Sequence, residues 1–308
     1  MKAILQNIQK SFHALPVPDN VKINEIYPCI ALAFLTLETD TLSVDHEGFD
    51  HILQINYCHR GRIGWKMGNG NSLYLGPGDF SLHSMDTCAA SSITLPDRSY
   101  EGLVICIDLK QLTQTPPEIL AGTRITGEFL LNKFCRDGAF TSLAGNEEAE
   151  RIFSAFYASS EPFQLSWQKV KVLELLLYLG RLEINSRNQL TEYQSEQIET
   201  IREIHDLLIT HMEQRFTIET LSKQYLMNPT TLKSMFKSVY GTSIAAHIKK
   251  HRMEKAAKLL RETDLSIAEI AAQVGYDSQS KFTSAFKETF GQLPKSCRRQ
   301  TFLLQTIP

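Results

Sequence analysis

Ile267-Ala268-Glu269-Ile270-Ala271-Ala272-Gln273-Val274-Gly275-Tyr276-Asp277-Ser278-Gln279-Ser280-Lys281-Phe282-Thr283-Ser284-Ala285-Phe286-Lys287-Glu288-Thr289-Phe290-Gly291 is the stretch that decides the fold of the C-terminal third. It predicts a short amphipathic helix, a turn, and a second helix anchored by Phe282 and Phe286, four residues apart and so on one helical face. Ala271 is small enough for the two helices to cross closely. Gly291 closes the second helix, as a residue tolerant of left-handed backbone does.

The same grammar occurs earlier. Phe216-Thr217-Ile218-Glu219-Thr220-Leu221-Ser222 predicts the first helix, and Asn228-Pro229-Thr230-Thr231-Leu232-Lys233-Ser234-Met235-Phe236 opens the second. Ser222 takes the place of Ala271, while Leu232, Met235 and Phe236 are the anchors. Gly241 ends the unit, and Ser243 is placed to cap a connecting helix over Ile244–Arg261. That helix carries the basic run Lys249-Lys250-His251-Arg252.

Two helix-turn-helix units in tandem point to DNA, because the second helix of such a unit enters the major groove while the first braces it. Once the anchors are buried, short polar side chains remain outside. In the first unit they are Thr230, Thr231, Lys233, Ser234 and Lys237. In the second they are Gln279, Ser280, Lys281, Thr283, Ser284 and Lys287. Gln suits adenine, Lys suits guanine and a Thr methyl suits thymine. Lys237 and Lys287 lie low on their helices, where phosphates are the nearer partners.

Residues 198–300 resemble the AraC/XylS family of transcriptional regulators over the whole of its DNA-binding domain. The resemblance is carried by Ile267-Ala268, Val274-Gly275-Tyr276, Ser280-Lys281-Phe282, Gly291-Gln292-Leu293-Pro294 and Arg298-Arg299. Arg252-Met253-Glu254-Lys255-Ala256 and Leu259-Leu260 on the connecting helix continue it. Two departures stand out. Tyr225-Leu226-Met227-Asn228 replaces the family's leucine-glycine-apolar-serine turn, and His247 replaces a common tyrosine. The resemblance implies two recognition helices on one rigid connector, reading successive major grooves of double-stranded promoter DNA, with RNA polymerase as a further partner if the protein activates. It also implies an N-terminal cupin-like domain that binds a small effector or dimerises.

The charge distribution agrees with that division. Residues 210–300 hold 15 Lys+Arg against 8 Asp+Glu, whereas the rest of the chain holds 17 against 26. A basic segment on an acidic body is the electrostatic pattern of a nucleic-acid module joined to a different one.

Upstream, Ile30–Leu35, Ile52–Tyr57 and Leu103–Ile107 are short apolar runs that predict strands. Arg62–Met67, the turn cluster Gly68-Asn69-Gly70-Asn71-Ser72 and Leu73–Leu75 predict a hairpin. Gly76-Pro77-Gly78-Asp79 turns into Phe80-Ser81-Leu82 and, with Gly61, resembles the family's sensor hairpins. Helices are expected over Glu147–Tyr157 and Ser166–Ile184. The expected class is therefore α+β multidomain. A cupin-like sensing and dimerisation barrel with C-terminal helices spans 1–185, a polar linker 186–197, and an all-α double helix-turn-helix domain 198–300. A homodimer is expected through the N-terminal domain or the 166–184 helix.

Arg60, Arg62, Trp65, Tyr74, Phe80 and His83 are the effector-binding candidates, as aromatic and polar groups on the barrel strands. A metal-dependent cupin enzyme needs a His-x-His pair, a Glu and a later His. His51, His59 and His83 lack that spacing. No metal, cofactor or catalytic residue is expected, since phosphate loops, dinucleotide fingerprints and Gly-x-Ser-x-Gly are all missing. The rival readings are a constitutive regulator whose barrel only dimerises, and a cupin enzyme fused to a DNA-targeting module.

Cys29, Cys58, Cys88, Cys106, Cys135 and Cys297 fit no zinc pattern and read as reduced, mostly buried thiols, with redox sensing at Cys58 or Cys88 as the alternative. Met1–Asn7 lacks the marks of a signal peptide, and no apolar run spans a bilayer, so a cytoplasmic protein with no membrane contact is expected.

Overall fold

The computed structural model describes residues 21–45, 48–138, 140–158 and 162–298. Met1–Asn7 and Arg299, read above, lie outside the described residues. The chain divides into two compact units, Met1–Ser195 and Glu196–Pro308.

The first unit contains eleven described strands: β1 (Val21–Tyr27), β2 (Ile30–Leu37), β3 (Thr41–Asp45), β4 (Ile52–Gly61), β5 (Ile63–Lys66), β6 (Asn71–Leu75), β7 (Phe80–Ser84), β8 (Ala90–Thr94), β9 (Tyr100–Asp108), β10 (Thr141–Leu143) and β11 (Tyr193–Gln194). They form two antiparallel sheets, β1-β2-β9-β4-β7-β10 and β11-β6-β5-β8-β3. Alternation along each strand splits the apolar residues between two cores. On β9, Val104 and Cys106 enter the core between the sheets, joining Ala33, Leu35, Trp65, Leu73 and Ile93. Leu103, Ile105 and Ile107 enter the opposite core, beneath helices. The larger sheet is thus buried on both faces, so its strands read as unbroken apolar runs.

Those helices are α1 (Leu109–Gln114), α2 (Gly127–Phe134), α3 (Glu147–Ser154) and α4 (Gln164–Arg181). Val172, Leu175, Leu176 and Leu179 of α4 are buried, and Gln168 on its inner side accepts a hydrogen bond from Asn24 on β1 at 3.3 Å. Its outer side exposes Phe163, Trp167, Val170 and Leu177.

The hairpin forms with Ile63 opposite Leu75 and Lys66 opposite Ser72. In the Gly76–Asp79 turn, Asp79 accepts from the Gly76 amide at 2.8 Å and from the Gly145 amide at 3.1 Å. Burial pushes its carboxyl above the ordinary value, and these two N–H donors oppose that shift. The segment expected as a polar linker is tied to the two sheets. Leu190 donates to Ser142 at 3.0 Å, Ala144 donates to Asn188 at 2.8 Å, and β11 pairs with β6.

The second unit is helical: α5 (Ser195–Thr210, whose first residue belongs to the first unit), α6 (Ile218–Gln224), α7 (Pro229–Tyr240), α8 (Ile244–Glu262), α9 (Ile267–Gln273) and α10 (Gln279–Phe290). The connecting helix α8 packs against α7 on one side of the chain order and against α9 and α10 on the other. Its Met253, Ala256, Ala257 and Leu260 share a core with Ile270, Ala271, Val274, Phe282 and Phe286.

Candidate nucleic-acid interface

Each helix pair begins with a self-satisfied cap. Thr217 and Thr220 exchange hydrogen bonds at the start of α6, and Ser266 and Glu269 do so at the start of α9. These side chains satisfy amides that a helix N-terminus otherwise leaves open. The Ser266 hydrogen bonds also hold the Glu269 carboxyl below the usual range. The recognition helices α7 and α10 are capped by Asn228, which accepts from the Thr230 amide at 2.8 Å, and by Ser278, which accepts from the Lys281 amide at 3.3 Å. Both end in a left-handed glycine, Gly241 at φ 75° and Gly291 at φ 71°.

The turns share a closing hydrogen bond. Met227 donates to the Ser222 carbonyl at 3.0 Å, and Tyr276 donates to the Ala271 carbonyl at 2.9 Å. The intervening residue has positive φ in both units, 77° at Gly275 and 50° at Leu226. Leu226 is an L-residue in a conformation that glycine adopts readily, and its side chain is 94% exposed.

Anchoring divides each recognition helix as expected. Leu232, Met235 and Phe236 are fully buried, as are Phe282 and Phe286; Ala285 is half-buried. On α7, Thr230, Lys233, Ser234 and Lys237 are exposed and Thr231 is half-buried. On α10, Gln279, Ser280, Lys281, Ser284 and Lys287 are exposed and Thr283 is half-buried. One positioning residue goes beyond the outward-facing set. Arg252 of α8 donates to the Gly275 carbonyl at 3.2 Å and the Gln214 carbonyl at 3.0 Å, clamping the second turn from behind. Its place in the Arg252–Ala256 match was the available signal.

The six effector candidates do not gather at one place. Trp65 and His83 both meet Phe140, at ring separations of 6.0 and 4.1 Å. Phe80 lies in the other core, 5.4 Å from Phe153. Arg60 is exposed beside Glu101 at 3.5 Å. Tyr74 is buried, its hydroxyl 3.3 Å from that of Thr94. Arg62 is half-buried, its guanidinium abutting Gly76. The core between the sheets also holds polar groups that the motifs did not mark. Gln54 bonds His83 at 3.2 Å and accepts from Cys88 at 3.2 Å, and Asn56 donates to Ser81 at 3.5 Å. Burial pushes the Cys58 and Cys88 thiols up to about 12, far from the thiolate range that redox sensing uses. His51 lies 3.1 Å from Asp50, and His59 stacks on Tyr157 at 4.0 Å.

A cleft of about 730 Å³ opens beside β1 and β2. It is lined by Phe34, Phe156 and Tyr157 together with the polar Lys22, Asn24, Thr36, Glu101 and Gln164. No helix among the described residues is long and apolar enough to cross a membrane.

Comparison with known proteins places the second unit. Residues 221–300 match the model of a helix-turn-helix domain. The HTH-type transcriptional regulator AlkR of Acinetobacter baylyi is 36% identical over 89 residues, 29% of this chain and 29% of AlkR. The HTH-type transcriptional regulator ExsA of Pseudomonas aeruginosa is 33% identical over 135 residues, 42% of this chain and 46% of ExsA. The C-terminal domain of AraT, a response regulator from Geobacillus stearothermophilus, is 38% identical, with a TM-score of 0.32 covering 33% of this chain and 84% of that one. The chain thus spans less than half the length of AlkR and of ExsA. With its paired helix-turn-helix units, its connecting helix and these relatives, the C-terminal domain belongs to the AraC/XylS family.

Proposed function

We propose that this protein is a sequence-specific transcriptional regulator that reads double-stranded promoter DNA through α7 and α10, under the control of a small effector bound by the first unit. The observation that carries the reading is the repeated split of α7 and α10 into a fully buried apolar side and an exposed side of Thr, Ser, Gln and Lys. Those outer residues match the base edges and phosphates of a major groove in size and hydrogen-bonding capacity.

The effector reading is supported by the cleft at Phe34, Phe156 and Tyr157, where aromatic side chains stand beside the polar Lys22, Asn24, Thr36, Glu101 and Gln164, a mixed lining that offers a polar small molecule both stacking and hydrogen-bonding partners. A homodimer through α4 is supported by Phe163, Trp167, Val170 and Leu177, which recur at helical spacing as one exposed apolar stripe. A second copy of the same stripe is its self-complementary partner.

Selection of bound sites from random duplex DNA tests the first claim, and the expected result is enrichment of one bipartite motif. Retention of unselected sequence would refute it. A thermal-shift screen followed by DNA titration tests the second. A stabilising ligand that controls the protein is expected to change DNA affinity, with DNA changing ligand affinity by the same factor because coupling is reciprocal; stabilisation with unchanged DNA affinity would refute the control.

A further inference from the structure

Three imidazoles meet beside the first helix-turn-helix unit, and DNA reading uses none of them. His205 comes from α5, while His247 and His251 lie one turn apart on α8 and so face the same way. One donor nitrogen from each lies within 4.8 Å of the other two. The Nε2 atoms of His247 and His251 are 3.1 Å apart. Nitrogens bound to one tetrahedral zinc ion at about 2.0–2.1 Å sit about 3.3 Å apart, so this pair already holds nearly the required edge.

The outer partners turn the rings the same way. Asp206 Oδ1 lies 3.1 Å from His205 Nδ1, and Glu254 Oε2 lies 3.6 Å from His251 Nδ1. The Asp206 hydrogen bond favours Nδ1 of His205 as the proton carrier and its Nε2 as the donor, as in carboxylate–histidine–metal arrangements, and Glu254 stands on the Nδ1 side of His251. His247 is buried, and burial, followed by the neighbouring His251 and His205, lowers its pKa to about 3. A neutral ring is the form that binds a metal.

We propose that His205, His247 and His251 bind one divalent transition-metal ion, with zinc as the first choice and a fourth position open to water. Three imidazoles without thiolate suit zinc, nickel or copper rather than magnesium or calcium, which select oxygen. The ion joins α5 to α8 at the end of the first recognition helix, where Tyr240 of α7 stacks on His205 at 4.4 Å. The departure of His247 from the family's tyrosine thereby acquires a chemical role. This proposal does not rest on any assignment of DNA contacts, and its test reads metal rather than DNA.

The test uses the full chain, stripped with a chelator and dialysed against zinc chloride. Elemental analysis is expected to find about one zinc per chain, with a raised Tm by mass action. His251→Gln and His205→Asn are expected to lose the zinc while keeping the far-ultraviolet circular dichroism of the stripped wild type. His211→Gln, outside the cluster, is expected to retain it. Cobalt chloride gives a readout on the wild type alone: visible bands stronger than those of the aqueous ion, as a four-coordinate nitrogen site gives, without the near-ultraviolet charge-transfer band of a thiolate ligand. No retained zinc, equal zinc in His251→Gln, or a thiolate band would each overturn the proposal. The three rings would then be an aromatic cluster packed around Tyr240 and Phe236.

Discussion

Leu226→Gly is expected to stabilise the DNA-binding domain, although it removes a large apolar side chain. Leu226 occupies the turn of the first unit with φ 50°, where the second unit has Gly275 at φ 77°. Holding an L-residue in left-handed backbone costs about 1–2 kcal/mol. Glycine removes that strain but loses more backbone freedom on folding, at about 0.5–1 kcal/mol. The leucine side chain is 94% exposed, so its removal forfeits almost no burial. The net expectation is a gain of about 0.5–1 kcal/mol, or about 3–5 °C in the helical unit's Tm. Urea denaturation of the full chain, followed by circular dichroism at 222 nm, measures it through the transition of the helical unit. An unchanged or lowered midpoint at constant slope would refute the strain argument. The reciprocal change sharpens the test. Gly275→Ala places a Cβ 2.5 Å from the Met212 carbonyl and 2.7 Å from the Arg252 guanidinium, at a φ that alanine resists. It is expected to destabilise by about 1–3 kcal/mol.

The remaining expectations concern anchoring and contact. Phe282→Ala empties a fully buried site in the second unit and is expected to cost about 3–5 kcal/mol in the same denaturation experiment. Arg252→Ala removes two charge-assisted hydrogen bonds, one to the Gly275 turn and one to the Gln214 carbonyl after α5; it is expected to cost about 2–3 kcal/mol of stability without changing which sequences are selected. Gln279→Ala or Lys281→Ala is expected to weaken binding to the selected site by about 1–3 kcal/mol and to relax preference at one base position, read by competition titration. Lys287→Ala is instead expected to weaken binding to all sequences alike and to lower the salt slope by about one.

The helical domain was legible because its physics is local. Each anchor, cap and closing glycine lies within one or two turns of its partners, so Phe282, Phe286, Ser243, Gly241 and Gly291 announce their roles by spacing alone. The turn of the first unit was marked by Tyr225-Leu226-Met227, though the positive φ of Leu226 is visible only in the structure. The two-sheet unit was legible in outline through β2, β4, β5, β6, β7 and β9. Strands β3 and β8 were missed because Thr41–Asp45 and Ala90–Thr94 are short and rich in Ser and Thr. The tie between residues 186–194 and the two sheets depends on backbone pairing across long separations, which polar side chains do not signal. The effector candidates dispersed for a related reason. Which face a strand residue takes depends on register, and the odd spacing of Phe80 and His83, three residues apart on β7, sends them into different cores.

The central claim is that two recognition helices read one DNA duplex together. Hydroxyl-radical footprinting on a site selected from random DNA tests it most directly. Two protected segments centred about 10 base pairs apart on one face of the duplex are predicted, one lost with substitutions on α7 and the other with substitutions on α10. A single protected segment that is insensitive to Thr230, Lys233 and Ser234 would contradict it.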